Sequence, residues 1–245
     1  MEKAYKLLAF QEGISNGKAK DLIDKGVVTV MGKKLQVARG EMKEDTVFKV
    51  KDIANARVIF EDDDILVVDK PAHLNSQEVE KKFPQAVLLN RLDKETSGVM
   101  LLAKNEDFRK KAINEFKNHK VYKEYVAIVD GKIVEEEVID MPISTIKGKT
   151  ARSRIDEQNG KPAKTTVYPN MIEGKKSKIK IIIENGRTHQ IRVHLQYAGM
   201  PIIGDLQYGK ASNQVTRVML HSKVTRILGY EFQAKEPKEF FHFGF

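Results

Sequence analysis

The sequence predicts an α+β chain with many strands and few helices. Short apolar runs bounded by turn residues recur at 65–69, 99–103, 121–129 and 178–184, which is strand patterning. Strand also follows strand across a tight turn, as at 57–60 and 65–69 on either side of Glu61-Asp62-Asp63-Asp64. Helical periodicity is confined to a few stretches. The clearest is 106–119, where Phe108, Ala112 and Phe116 fall at i, i+4 and i+8 on one face.

At 245 residues the chain is long enough for one large or two small domains. Its 41% hydrophobic content is that of a globular protein. A net charge of +9 points to a polyanionic partner such as nucleic acid. The chain has no cysteine, which excludes disulfides, thiol nucleophiles and cysteine-ligated zinc. The first residues lack an apolar stretch of signal-peptide length, and no window is apolar enough to span a bilayer. The expectation is a soluble, cytoplasmic monomer that needs no obligate protein partner, no metal and no cofactor.

The first fifty residues read as helix, helix and hairpin. Residues 5–10 form a short helix. Residues 18–25 form a second, with Asn16 as its cap and Gly26 at its end. Strands follow at 27–30, 35–37 and 46–50, with Met31-Gly32-Lys33-Lys34 as the turn between the first two. This stretch holds eleven basic and seven acidic residues up to Lys51. Lys18, Lys20, Lys25, Lys33 and Lys34 sit on the helix and the turn. Residues 52–57 read as a linker, which divides the chain into 1–51 and 52–245.

In the larger part, the hairpin at 57–69 ends at Lys70-Pro71, because proline cannot donate to a ladder. Its three aspartates are expected to be solvent-exposed. A short helix at 78–83 stops at Pro84. The helix at 106–119 precedes a strong strand at 121–130. Residues 147–155 carry Lys147, Lys149, Arg152 and Arg154, an alternation that suggests a strand with a basic face. A turn and strand at 160–168 lead to a buried strand centred on Ile181-Ile182-Ile183. A further strand is expected at 219–224. Phe240, Phe241 and Phe243 read as packing residues.

Two stretches stand out chemically. In Asn90-Arg91-Leu92-Asp93-Lys94-Glu95-Thr96-Ser97-Gly98, loop formers run into the apolar strand 99–103, so Asp93 lies on the loop entering that strand. In 185–199, Asn185-Gly186 is a turn and Thr188 a plausible cap. Ile191, Leu195 and Ala198 make a helix stripe. Arg187 therefore sits on a loop just before a helix. His189 and His194, five residues apart, lie about 140° apart around a helix and do not share a face. They are expected to be structural or to face RNA.

The run Asn90-Arg91-Leu92-Asp93 with Thr96-Ser97-Gly98 resembles the catalytic motif of the RluA-type pseudouridine synthases, in which a His-Arg-Leu-Asp run precedes a Thr-Ser-Gly turn. Asn90 stands where that family usually has His. The hairpin ending in Lys70-Pro71, the Lys123-x-Tyr125 strand and Gly186-Arg187-Thr188-His189-Gln190-Ile191-Arg192 are similar to its other motifs. The resemblance implies a mixed, mainly antiparallel sheet with flanking helices. It implies Asp93 as nucleophile, Tyr125 as the active-site tyrosine and Arg187 as the partner of Asp93. A carboxylate in an enclosed site needs such a neighbour to stay ionised. Arg91 would hold the RNA open, with Gln190 and Arg192 as lesser substrate contacts. The first fifty residues resemble the RNA-binding domain named after small-subunit ribosomal protein four. In that domain the five lysines above match positions that face phosphate and position RNA without reading its sequence.

The reaction implied is isomerisation of uridine to pseudouridine. The N-glycosidic bond breaks, the uracil turns, and C5 joins C1′. Asp93 would add to C1′ or to C6, and carboxylates act covalently at sugar carbons in glycosidases. Ribosomal RNA is the first expectation for the substrate, transfer RNA the second. The alternatives are an RNA-binding protein on an inactive synthase scaffold, and a glycoside-type hydrolase, for which no second carboxylate stands in a matching motif.

Overall fold

The computed structural model describes residues 1–146, 148, 151–209, 212 and 214–245. It opens with β1 (Glu2–Lys3), α1 (Ala4–Glu12), α2 (Asn16–Lys25), β2 (Val28–Val30), β3 (Lys33–Lys34), β4 (Glu41–Met42) and β5 (Phe48–Val50). Ser15, not Asn16, caps α2: its hydroxyl accepts the Lys18 N–H at 3.2 Å from an extended backbone. Met31 and Gly32 both take positive φ, 50° and 77°, as a two-residue primed turn requires. The returning strand therefore begins at Lys33, two residues before the expected 35–37. β2 lies between β3 and β5, and β1 pairs with β4. Ala4, Leu8, Ala19, Ile23, Val28 and Phe48 form an apolar cluster of their own.

The rest of the chain supplies β6 (Arg57–Glu61), β7 (Ile65–Lys70), α3 (Ser76–Glu80), β8 (Val87–Leu88), β9 (Ser97–Ala103), α4 (Glu106–Lys117), β10 (Tyr122–Asp130), β11 (Glu137–Asp140), β12 (Ile143–Ile146) and β13 (Arg152–Ile155). It continues with β14 (Lys164–Glu173), β15 (Lys176–Ile183), α5 (Gln190–Tyr197), β16 (Leu220–Ile227) and β17 (Tyr230–Gln233). Among the described residues, one sheet runs β11-β14-β15-β10-β16-β9-β7-β6, with β8 on β9 and β17 on β16. Within it, β9 and β16 run parallel and the other pairs antiparallel, so the architecture is α+β with a mixed, mainly antiparallel sheet. β12 and β13 form a separate ribbon. Arg152 and Arg154 are exposed on β13, whereas Lys147 and Lys149 lie outside the described residues.

Period-two alternation explains how this sheet is held. Leu66 and Val68 of β7 join Met100 and Leu102 of β9 on one face. Ile65 and Val67 join Val99, Leu101 and Ala103 on the other. Both faces of β9 are covered, which is why its sequence is apolar throughout. α4 covers the second face with Phe108 and Ala112, and Asn105 caps it through the Phe108 N–H at 2.8 Å. Each such aliphatic side chain contributes about 1.5–3 kcal/mol by burial. The first face carries the larger cluster, and α5 packs there through Ile191 and Leu195.

Two further details differ from the sequence expectation. Asp62 is not simply solvated: it accepts the N–H groups of Asp64 and Ile65 at 2.9 Å and the Tyr230 hydroxyl at 2.8 Å, which organises the hairpin turn. At the C-terminal end, Phe240 and Phe243 are buried, but Phe241 is exposed.

Candidate active site

Asp93 stands on the irregular segment between β8 and β9, where the Thr96 N–H closes a turn on the Asp93 carbonyl at 3.1 Å. Just beyond it, Gly98 pairs with Ser222 of β16, and Ser222 pairs with Tyr125 of β10. The strands approach so closely that a Cβ on Gly98, with φ of 113°, would lie 2.0 Å from the Ser222 carbonyl oxygen. Only glycine fits there. β10 carries a bulge between Glu124 and Tyr125. Bulges re-aim side chains. Tyr125 is buried opposite Ser222. Burial pushes its phenol up to about 12, the Ser222 side chain works against this and the Asp93 carboxylate adds to it.

The arginine that reaches Asp93 is Arg192, not Arg187. α5 starts at Gln190, after His189 in the left-handed region at φ 55°, so Thr188 is not its cap. Arg192 thereby faces inward on the first turn. Its Nη1 lies 3.3 Å from Asp93 Oδ2. Its Nε and Nη2 grip Asp205 at 2.6 and 2.9 Å, and its guanidinium lies 4.9 Å from the Tyr208 ring centre. Burial disfavours the Arg192 charge, but the bonds to Asp205 and Asp93 outweigh it and hold the guanidinium protonated. Burial likewise disfavours the Asp205 charge. Arg192 and the Gln207 and Tyr208 N–H groups outweigh it and hold the carboxyl below its usual range. The result is a buried carboxylate that fixes the guanidinium and leaves its Nη1 end for Asp93.

His189 completes this cluster. Its Nε2 lies 3.8 Å from Asp93 Oδ2, and its Nδ1 is 2.8 Å from the Tyr208 hydroxyl, which accepts the Ser153 N–H. Burial lowers the imidazole's affinity for a second proton, so the ring is neutral near pH 7 despite the pull of Asp93. Because the Tyr208 hydroxyl already accepts the Ser153 N–H, it donates to Nδ1, which puts the ring proton on Nε2, facing Asp93 beyond hydrogen-bond distance. Among the described residues, Asp93 Oδ1 takes no protein hydrogen bond. A cleft of about 610 Å³ opens beside Asp93, with Arg91, Lys117, Lys123, Tyr125 and Arg187 also in its lining, and a cavity of about 70 Å³ that shares Asp93, Tyr125 and Arg187 reaches His189 and Arg192. The larger volume is in the range of ligand pockets, and the rim is basic.

The other expected contacts divide. Arg187 lines the cleft, but its Nε donates to the Pro162 carbonyl at 3.0 Å. Arg91 is exposed at the cleft edge. Gln190 is buried, donating to the Lys164 carbonyl and Thr165 and accepting the Arg187 N–H, which ties the start of α5 to β14. Asn90 accepts the Leu101 N–H at 2.8 Å and ties the loop to β9. His194 is wholly buried between Thr165 and the Met141 carbonyl, as a structural residue.

Of the five lysines expected to face phosphate, Lys18 and Lys33 are exposed. Lys20 lies over the Tyr5 ring at 4.1 Å. Lys25 is instead paired with Asp21 at 2.9 Å and Glu78 at 3.1 Å, and Lys34 with Glu95. Glu78 and Glu95 belong to the rest of the chain, so both lysines are directed at it, and the tighter hairpin turn lays Lys34 across Gly26.

Sequence reasoning missed Asp205, Tyr208, His189 and Lys70 as members of the site. Lys70 is fully buried under the loop, its Nζ donating to the carbonyls of Pro71 at 3.0 Å, Leu74 at 2.6 Å and Lys94 at 3.2 Å. Burial pushes its ammonium down to about 7, against the attraction of Asp93. A lysine directly before the proline that ends an apolar strand was the available signal. Asp205 lies thirteen residues beyond Arg192, and no local spacing links them.

The family described as RNA pseudouridylate synthase matches residues 64–197. An uncharacterized RNA pseudouridine synthase of Helicobacter pylori (strain J99) is 50% identical over 98% of this chain and 99% of its own length. A ribosomal large subunit pseudouridine synthase D of Vibrio cholerae is 30% identical over 77% of this chain and 63% of its own. A mitochondrial tRNA pseudouridine(32) synthase of Saccharomyces cerevisiae is 40% identical over 62% of this chain and 37% of its own. The solved structure of human RNA pseudouridylate synthase domain containing 1 superposes with a TM-score of 0.66 at 28% identity, covering 75% of this chain and 84% of that one.

Proposed function

The chain belongs to the RNA pseudouridylate synthase family, and from that premise we propose that Asp93 is the nucleophile that isomerises uridine in ribosomal RNA. The observation that carries this is the Asp93–Arg192–Asp205 line beside Tyr125, with Asp93 and Tyr125 on the floor of a basic cleft. Arg192 is anchored by Asp205 before any substrate arrives, so it holds the Asp93 carboxylate in place without reorganising during the reaction. The free Oδ1 is the oxygen offered to C1′ or C6.

The target nucleotide leaves its stack to reach this floor, at a cost of a few kcal/mol. Arg91, Lys117 and Arg187 at the rim bind phosphate and offset that cost. Tyr125 stays protonated near pH 7 and supports the extruded base with its ring. The net reaction balances within the nucleotide: the N1–C1′ bond breaks, C5–C1′ forms, and the C5 proton is exchanged for one on N1.

Residues 1–51 act as an RNA-binding domain of the ribosomal-protein-four type, with Lys18, Lys20 and Lys33 on phosphate, and 52–245 as the catalytic domain. The enzyme works as a monomer in the cytoplasm. Ribosomal RNA is favoured by the relative that aligns with more of this chain. The test is a pseudouridine map of cells lacking the protein. Loss of a site in ribosomal RNA is expected. Loss only in transfer RNA would shift the substrate, and no loss in any RNA would leave a binding protein.

A further inference from the structure

The loop that carries Asp93 is braced from outside the catalytic body. Residues 89–96 include no helix and no strand, so nothing repetitive holds them. Glu95 nevertheless sits in a tight junction. Its carboxylate pairs with Lys34 of β3, and the two side chains are only 18% and 14% exposed. Its second carboxylate oxygen accepts the Val218 N–H at 3.1 Å, and its carbonyl accepts Arg217 Nη1 at 3.1 Å. Lys94 donates its ammonium to the Asp24 carbonyl at the end of α2. The His73 ring meets the Lys25 carbonyl at 3.0 Å, while the His73 N–H donates to the Lys94 carbonyl at 2.8 Å. Carbonyls at a helix C-terminus lack helical partners and carry partial negative charge, so an ammonium there is favourable. Gly26 makes the crossing possible, since a Cβ at that position would lie 2.3 Å from Lys34 Cε.

We propose that Lys34 and the carboxy end of α2 are positioning elements that hold Lys94 and Glu95, and through them set Asp93 against Arg192. This rests on the reading of Asp93 as nucleophile. The first fifty residues then serve the chemical step as well as RNA binding. Fixing a loop residue costs conformational entropy, and an error of about 1 Å at a reacting group costs about a hundredfold in rate. Contacts one and two residues from Asp93 are placed to prevent that error.

The rival role for Lys34 is the phosphate contact expected from the sequence, and the two separate kinetically. The experiment is single-turnover tritium release, with enzyme in excess, from total RNA labelled at uridine C5 in cells lacking this chain. Lys34→Gln, Glu95→Gln and the double variant are compared with the full chain. Each single variant is expected to lower the rate constant at saturating enzyme about tenfold or more. The half-saturating enzyme concentration and its salt dependence should stay within twofold. The double variant should be no slower than the slower single one, and Lys34→Arg should recover most of the rate.

A rate constant unchanged in Lys34→Gln with weaker, less salt-dependent binding would overturn the proposal in favour of phosphate contact. Losses that multiply in the double variant would overturn it as well. Hydrogen exchange supplies a readout independent of turnover. The Thr96 amide, bonded to the Asp93 carbonyl, should exchange at least tenfold faster in Lys34→Gln while the α4 amides keep their protection. Unaltered Thr96 exchange would refute the brace. A wild-type chain that releases no tritium would instead sink the assignment of Asp93, with the exchange result still deciding the brace.

Discussion

Arg187 and Arg192 lie five residues apart and occupy opposite physical situations. Arg192 is buried, with a bidentate carboxylate on one side and Asp93 on the other. Arg187 is only partly covered, lines the open cleft, and makes one bond to a backbone carbonyl. The difference lies in what surrounds each guanidinium. A buried one needs fixed counter-charges and becomes part of the reactive cluster. One at the rim keeps most of its donors for a ligand.

The sharpest way to break this comparison is Arg192→Ala. It leaves Asp205 buried without its counter-charge, and losing one side of a buried pair costs about 3–5 kcal/mol. Denaturant unfolding should show that loss, and single-turnover tritium release should fall at least a thousandfold. Stability within 1 kcal/mol of wild type would contradict the anchored arrangement. Lys70→Met comes next. It removes three hydrogen bonds beneath the loop and should cost about 2–3 kcal/mol, since the buried Leu74 carbonyl loses its donor.

A smaller effect is expected where the N-terminal unit meets the C-terminal end. Burial disfavours the Glu239 charge, but Lys51, its own N–H and Arg217 overcome this and hold it at about 2, below the ordinary 4.5. A depressed carboxyl stabilises the fold above its unfolded value and loses that contribution as pH falls through the folded value. Wild-type stability should therefore drop between pH 4.5 and 2 by roughly 1–2 kcal/mol more than that of Glu239→Gln. The figure is reduced for the exposure of Lys51. Equal slopes in acid denaturation would remove Lys51–Glu239 from the account. Arg187→Ala should have the least effect on stability, below about 0.5 kcal/mol. RNA affinity should weaken and the salt slope should shrink by about one, as a lost phosphate contact requires. A thousandfold fall in rate with binding intact would restore Arg187 as the partner of Asp93.

Much of the fold was legible because local rules governed it. The apolar run at 99–103 had to be a central strand, and Phe108, Ala112 and Phe116 had to face a sheet. The loop position of Asp93 followed from Thr96-Ser97-Gly98, whose glycine has a steric reason in the approach of Ser222. The partner of Asp93 was not legible in the same way. It depends on His189 adopting a left-handed backbone and delaying α5, and on Asp205 folding back from thirteen residues on. Lys25 and Lys34 were misread for a related reason. A lysine on a helix or a hairpin shows its charge in the sequence, but whether Glu78 and Glu95 stand opposite it is decided by packing between units. Asn90 is a milder case: its bond to the Leu101 N–H gives it a structural use that the usual His of the motif would not have predicted.

The central claim is that Asp93 performs the bond-making step with Arg192 as its fixed partner. The measurement that tests it most directly is single-turnover tritium release by Asp93→Asn on C5-labelled RNA, alongside RNA binding by the same variant. The account expects no release above background with affinity within a few fold of wild type, because the amide keeps the shape and loses the nucleophile. Release at a rate within tenfold of wild type would contradict it.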